Sequence, residues 1–167
     1  MTVRLNLCIT DVSVLMDHLQ IGIRRARKEL RLELIGPGML LPDTALVLFD
    51  ILRNRPDSLR VHVHTWTCLC DGAVLLWLGG DTRSMRSDTW VQIPHIAEDA
   101  VEFKNVMLDE SPSDTDLRIV TRHMGEWLPM EEVSGRRLFR SELEELGLLE
   151  NAEVDERLLS FFALAQG

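Results

Sequence analysis

The order of apolar and polar residues divides the chain into short alternating stretches and longer helical ones. Thr2 to Ile9 alternates weakly and predicts a strand. From Asp11 the period lengthens. Val12, Leu15, Met16, Leu19, Ile23, Ala26 and Leu30 recur at three- and four-residue steps, while Asp17, Gln20, Arg24, Arg27 and Lys28 take the other side. That is an amphipathic helix. Leu32 to Ile35 reads as a short strand, stopped by Gly36-Pro37-Gly38. Pro42 opens a second helix through Leu52, apolar nearly all round and so expected to be buried on both sides. Arg60 to Trp66 predicts another strand, leading through Cys68-Leu69-Cys70-Asp71-Gly72 into a short apolar helix, Ala73 to Leu78. Gly79-Gly80 should supply a left-handed cap there. Thr89 to Ile93 is a further strand, closed by Pro94.

Strands alternating with helices over short connections predict an α/β domain with parallel strands and right-handed crossovers. In such folds, sites form where strand ends meet helix starts. Gly36 to Met39 and Cys68 to Gly72 are two such places. Beyond Pro94 the pattern turns helical. A modest helix is expected over Glu98 to Leu108. Ser113 to Asp116 gives cap chemistry for a stronger one carrying Leu117, Val120, Met124, Trp127 and Leu128 on one face. Ser141 to Leu146 predicts a short helix closed by Gly147. Arg157 to Ala165 predicts a terminal apolar helix that needs cover, from the domain or from another subunit.

The chain has 167 residues, 46% of them apolar, enough for one domain with a single core, and no internal repeat divides it. No apolar run approaches the ~20 residues that cross a bilayer, and Met1 to Leu5 lacks the regions of a secretory signal, so neither a membrane protein nor an exported one is expected. A formal charge of −9 argues against nucleic-acid binding, which needs a basic face. Arg24, Arg25, Arg27, Lys28 and Arg31 read as a solvated helix face. Three cysteines, Cys8, Cys68 and Cys70, form no complete disulfide set and suit a reducing, cytoplasmic setting. Cys68 and Cys70 share a face if extended, as do His62 and His64, but the two-pair spacing of a zinc site is missing. No metal or cofactor is expected. The tryptophans read as core or interface anchors, and Glu131-Glu132 and Glu144-Glu145 as solvated charge.

Four strings in this order resemble the ClpP proteolytic subunit, within the wider ClpP/crotonase fold of repeated ββα-type units. Gly36-Pro37-Gly38-Met39 stands where that family has Ser-Pro-Gly-Gly, and Cys70-Asp71-Gly72-Ala73 falls in its Gly-x-Ala-x-Ser-x-Gly-Ala nucleophile turn. Val91-Gln92-Ile93-Pro94-His95 matches a strand ending in His-Gln-Pro. Arg136 to Ser141, trailed by Leu146 to Glu150, matches the family's Arg-Asp-x-x-Arg-Asp-x-Phe-x-Ser region. The resemblance runs from Val3 to about Ala152. It implies one ClpP-like domain over 1–167, with a shortened handle region at about 95–130 and an added C-terminal helix at about 155–165.

The departures from the family pattern bear directly on activity. The serine nucleophile falls on Cys70, the histidine on Pro94 with His95 one place later, and the aspartate on Val133 with Glu132 one place earlier. An oxyanion-binding backbone N–H falls on Met39, with Asp71 as its counterpart in the other turn. Three functions follow. The first is a non-catalytic, oligomeric or regulatory relative of the proteolytic subunit, in a ring (heptameric in the family) of its own or mixed with a ClpP paralogue. Docking of an unfoldase ATPase is not expected, because the N-terminal axial loops are nearly missing. The second is a peptidase or other hydrolase with Cys70 as nucleophile and His95 as base. The third is a crotonase-like acyl-thioester binder using the N–H groups of Met39 and Asp71.

Overall fold

The computed structural model describes residues 1–95 and 112–150. Its elements are β1 (Thr2–Asn6), α1 (Val12–Arg25), β2 (Glu29–Ile35), β3 (Met39–Leu40), α2 (Pro42–Arg53), β4 (Arg60–Thr65), β5 (Leu69–Asp71), α3 (Gly72–Leu78), β6 (Thr82–Met85), β7 (Trp90–Gln92), α4 (Pro112–Met124), α5 (Met130–Val133), β8 (Arg137–Phe139) and α6 (Arg140–Glu145). After the first strand and helix, pairs of strands precede a helix, β2-β3-α2 and β4-β5-α3, so the ββα unit is real. The helices expected over 98–108 and 157–165 lie outside the described residues.

The strands form two four-stranded sheets, ordered β1-β2-β4-β6 and β3-β5-β7-β8. Every pairing is parallel except β7 with β8. The strands β2 and β4 of the first sheet thus each hand over to a short strand of the second, and a helix follows. Leu5, Leu30, Leu32, Leu34, Val61 and Val63 point into one core with Leu15 and Leu19 of α1, Leu48 and Leu52 of α2, and all seven residues of α3. Trp77 is fully buried, and its indole N–H donates to the Ser84 carbonyl at 3.1 Å, fixing α3 to β6.

Several expectations change. The first helix stops at Arg25, with Ala26 already extended. Leu30 satisfies a strand alternation with Leu32 and Leu34 equally well, and pairing with Val61 draws it into β2. Asp11 caps α1 by accepting the Ser13 N–H at 2.9 Å. The second helix is buried on one face, not all round, with Val47 exposed. Gly79 is right-handed (φ −69°, ψ −8°). The end of α3 is closed instead by the Arg83 guanidinium, which donates to the Leu78 carbonyl at 2.9 Å and the Gly80 carbonyl at 2.7 Å. The short elements β3, β5, β6, α5 and β8 have no periodic signal of their own.

Candidate active site

Cys70 sits in the middle of β5, and two glycines make that placement possible. At Gly38 any Cβ would collide with the Cys68 carbonyl, so only glycine allows β3 to lie this close to β5. The Cys70 N–H then donates to the Gly38 carbonyl at 2.7 Å. Gly72 opens α3 against the Ala45 side chain and the Leu40 carbonyl, again without room for a Cβ. Between them the chain reverses at Asp71, which holds φ 51° and ψ −132°. No other described non-glycine residue has a positive φ. The strand-to-helix turn expected at Cys68 to Gly72 is therefore present, and its strained residue is Asp71, one place after the thiol.

The environment of the thiol opposes ionisation. The Cys70 Sγ donates to the Gly38 carbonyl at 3.5 Å. Partial burial pushes its pKa up, and the charge of Asp71 and the Cys68 thiol push it further in the same direction. The seven-residue α3 begins just beyond, but the chain places a carboxylate at the spot where its N-terminus would favour a thiolate.

The remaining candidates are dispersed. The Met39 N–H donates to the Pro37 carbonyl at 2.7 Å, an occupied hydrogen bond at the position where a donor to an oxyanion is expected. Met39 and Asp71 flank the β3–β5 pair, in which Met39 lies opposite Cys70 and Leu40 opposite Asp71. His95 follows the end of β7 and is exposed, with its ring packed on Gly135. The Gly135 N–H holds the Pro94 carbonyl at 3.2 Å, and Ile93 donates to the Arg136 carbonyl at 2.9 Å. His95 is thus tied to the β8 flank of β7, whereas Cys70 pairs on the β5 flank, opposite Gln92. Val133 is buried in α5 and carries no carboxylate, and Glu132 beside it is exposed. The sequence did not reveal the contact of Gly38 with Cys68 or the strain at Asp71. Asp71-Gly72, a turn-forming dipeptide at a strand end, was the available signal.

The two histidines of β4 belong to the other sheet. His62 Nε2 and His64 Nδ1 both lie 2.7 Å from the Ser84 Oγ, and His62 Nδ1 lies 2.7 Å from the Thr82 Oγ1. They serve the sheet surface and do not join Cys68 and Cys70. Among the described residues no three His, Cys, Asp or Glu gather as a metal site. A cleft of about 1070 Å³ opens at the other ends of the long strands, lined by Arg31, Arg60, His62, Asp81, Arg83 and Glu150 among others. It contains none of Met39, Cys70, Asp71 or His95. Among the described residues no helix is long and apolar enough to cross a membrane.

No protein-family model matches the chain, and no curated protein matches it in sequence. Solved structures do match it in shape. The ClpP protease catalytic domain from Plasmodium falciparum superposes with a TM-score of 0.67 at 11% identity, covering 89% of this chain and 83% of that one. ClpP1 from Listeria monocytogenes gives 0.61 at 13% identity, covering 92% and 94%. A double variant of HypX from Aquifex aeolicus gives 0.63 at 14% identity, covering 89% of this chain but 29% of HypX. With the ββα units and the glycine-built turn, these likenesses establish that the chain has an α/β, ClpP-like fold.

Proposed function

We propose that the chain is a non-catalytic relative of the Clp protease proteolytic subunit, acting as an oligomeric or regulatory component. The observation that carries this reading is the state of Cys70. Its thiol donates to a backbone carbonyl, its pKa is pushed up, and a carboxylate follows it in the chain. A nucleophile needs the reverse: a depressed pKa or an adjacent base. The occupied Met39 N–H and the seat of His95 on Gly135 agree with it. Assembly is supported by apolar side chains left open around the second sheet, with Met39 55%, Leu41 68% and Phe139 51% exposed. The resemblance implies a ring, of this chain alone or mixed with a catalytic paralogue.

The test combines two measurements on the intact chain. Serine- and cysteine-directed peptide probes should leave the protein unlabelled at neutral pH, while light scattering should report a stable multimer. Stoichiometric labelling of Cys70 together with peptide turnover, both lost in Cys70→Ala, would replace this reading with the hydrolase.

A further inference from the structure

The polar face of the first sheet holds positive charge that the fold leaves unanswered. Register sets two rows across it: Thr2, Arg31, His62 and Thr82 in one, and Arg4, Glu33, His64 and Ser84 in the next. Arg60 stands on the same face of β4, two residues before His62. It is therefore diagonal to Arg31 on the neighbouring strand, within reach of long side chains. Leu30, Leu32, Val61 and Val63 alternate with these residues and point into the core. Glu33 pairs with Arg4 Nε at 3.0 Å and with Arg31 Nε at 3.1 Å, so one carboxylate answers two cations. The Arg31 Nη2 is buried and has no hydrogen-bond partner. The Arg60 side chain is exposed and forms no ion pair or hydrogen bond among the described residues, although Glu29 lies opposite it in the register. Both arginines line the cleft of about 1070 Å³. One carboxylate already approaches this corner: Glu150, half exposed, places Oε2 3.6 Å from His62 Nδ1. His62 holds it only loosely, since its Nδ1 and Nε2 are each engaged at 2.7 Å by the Thr82 and Ser84 hydroxyls. Further round the cleft, Asp81 accepts from Arg55 at 2.6 Å and from the Val61 N–H at 2.7 Å, and Glu126 accepts from Arg53 at 3.0 Å. Neither is left to neutralise Arg31 or Arg60.

We propose that Arg31 and Arg60 form a binding site for a phosphate group at the sheet side of the cleft. A guanidinium fork matches the spacing of phosphate oxygens. Two forks set diagonally on adjacent strands call for oxygens in more than one plane, which a tetrahedral phosphate offers and a planar carboxylate does not. The partial burial of Arg31 screens its charge less than open solvent would, so the contact is worth more than an exposed ion pair. Glu150 is the built-in competitor, a carboxylate beside the seat that repels the ligand. Binding is non-covalent, and free phosphate and a phosphate monoester present the same oxygens. The site does not depend on the proposed function, because the cleft contains none of Met39, Cys70, Asp71 or His95.

The test is calorimetric titration of the full chain, at low ionic strength, with inorganic phosphate and with phenyl phosphate. One equivalent should bind saturably per chain. Arg60→Gln, at an exposed side chain with no bond in the fold, should weaken binding by about tenfold. Arg31→Gln should weaken it at least as much, with circular dichroism checking that the loss of its pair with Glu33 leaves the fold intact. Glu150→Gln should tighten it. Tighter binding of phenyl phosphate would identify an ester as the occupant, and binding of inorganic phosphate alone would identify the free ion. Absence of saturable binding of either probe by the unaltered chain would overturn the proposal. So would unchanged affinity in Arg60→Gln, weaker binding by Glu150→Gln, or equal competition from chloride at matched ionic strength.

Discussion

Asp71 holds a backbone conformation that costs a residue with a Cβ about 1–3 kcal/mol. Asp71→Gly should therefore stabilise the protein by about 1 kcal/mol, read from the midpoint of chemical denaturation. A loss of stability would show that the carboxylate makes a compensating contact. Gly38 predicts the opposite sign. Gly38→Ala drives a methyl group into the Cys68 carbonyl and should cost on the order of 3 kcal/mol, or separate β3 from β5. Equal stability of Gly38→Ala and the unaltered chain would contradict the close strand approach. The identity of both residues is plain in the sequence. Their roles are not, since a positive φ and a close approach are properties of the folded backbone.

At the scale of elements, the first sheet has one apolar face under the helices and one polar face. On the latter, Glu33 is buried and accepts from the Arg4 Nε at 3.0 Å and the Arg31 Nε at 3.1 Å. Burial alone would raise its pKa, but the two guanidinium groups prevail and hold it below the usual carboxylate range. Glu33→Gln should cost about 2 kcal/mol at neutral pH. His62, on the adjacent strand β4, has its pKa pushed below the ordinary imidazole value by burial first and then by Arg31 and Arg83, with Glu150 opposing. A histidine held neutral in the fold contributes stability that is full above its unfolded pKa and is lost as pH falls toward the lower folded value. Denaturation midpoints should therefore decline below about pH 6.5, and His62→Gln should flatten that decline. An unchanged slope in the variant would refute it.

The same sheet explains what the sequence could and could not convey. The strands β2 and β4 and the helices α1 and α2 carry long, regular apolar periods, and their positions follow from these. Leu30 fits a helical and a strand period alike, so only pairing with Val61 decides between them. The strands of the second sheet are two or three residues long, too short for periodicity, and are specified by the glycines and by pairing across the chain. The polar partners His62, His64, Thr82 and Ser84 are far apart in sequence and meet only through strand register.

At the scale of the whole molecule, the two sheets divide the labour. The first, with α1 to α3, builds the core, and the second presents the turn that holds Cys70 along with the open apolar residues Met39, Leu41 and Phe139. If those residues form a subunit contact, Leu41→Lys with Phe139→Lys should shift the mass seen by light scattering toward the monomer without lowering the thermal midpoint. An unchanged multimer would place the contact elsewhere. The turn at Cys68 to Gly72 was legible as a place, because one of the four strings that resemble ClpP, Cys70-Asp71-Gly72-Ala73, falls on it. Its chemical condition was not, because hydrogen bonding by the thiol and the seat of His95 depend on tertiary contacts.

The proposed function requires that the strand-to-helix turn hold a Cys70 thiol whose surroundings oppose ionisation. The rate of Cys70 alkylation as a function of pH, followed by mass spectrometry with Cys8 as the exposed reference in the same molecule, tests it most directly. A single inflection above that of an ordinary thiol is expected, with a Cys70 rate below that of Cys8 at neutral pH. A Cys70 rate that exceeds that of Cys8 at neutral pH, with a second inflection in the histidine range removed by His95→Ala, would contradict it.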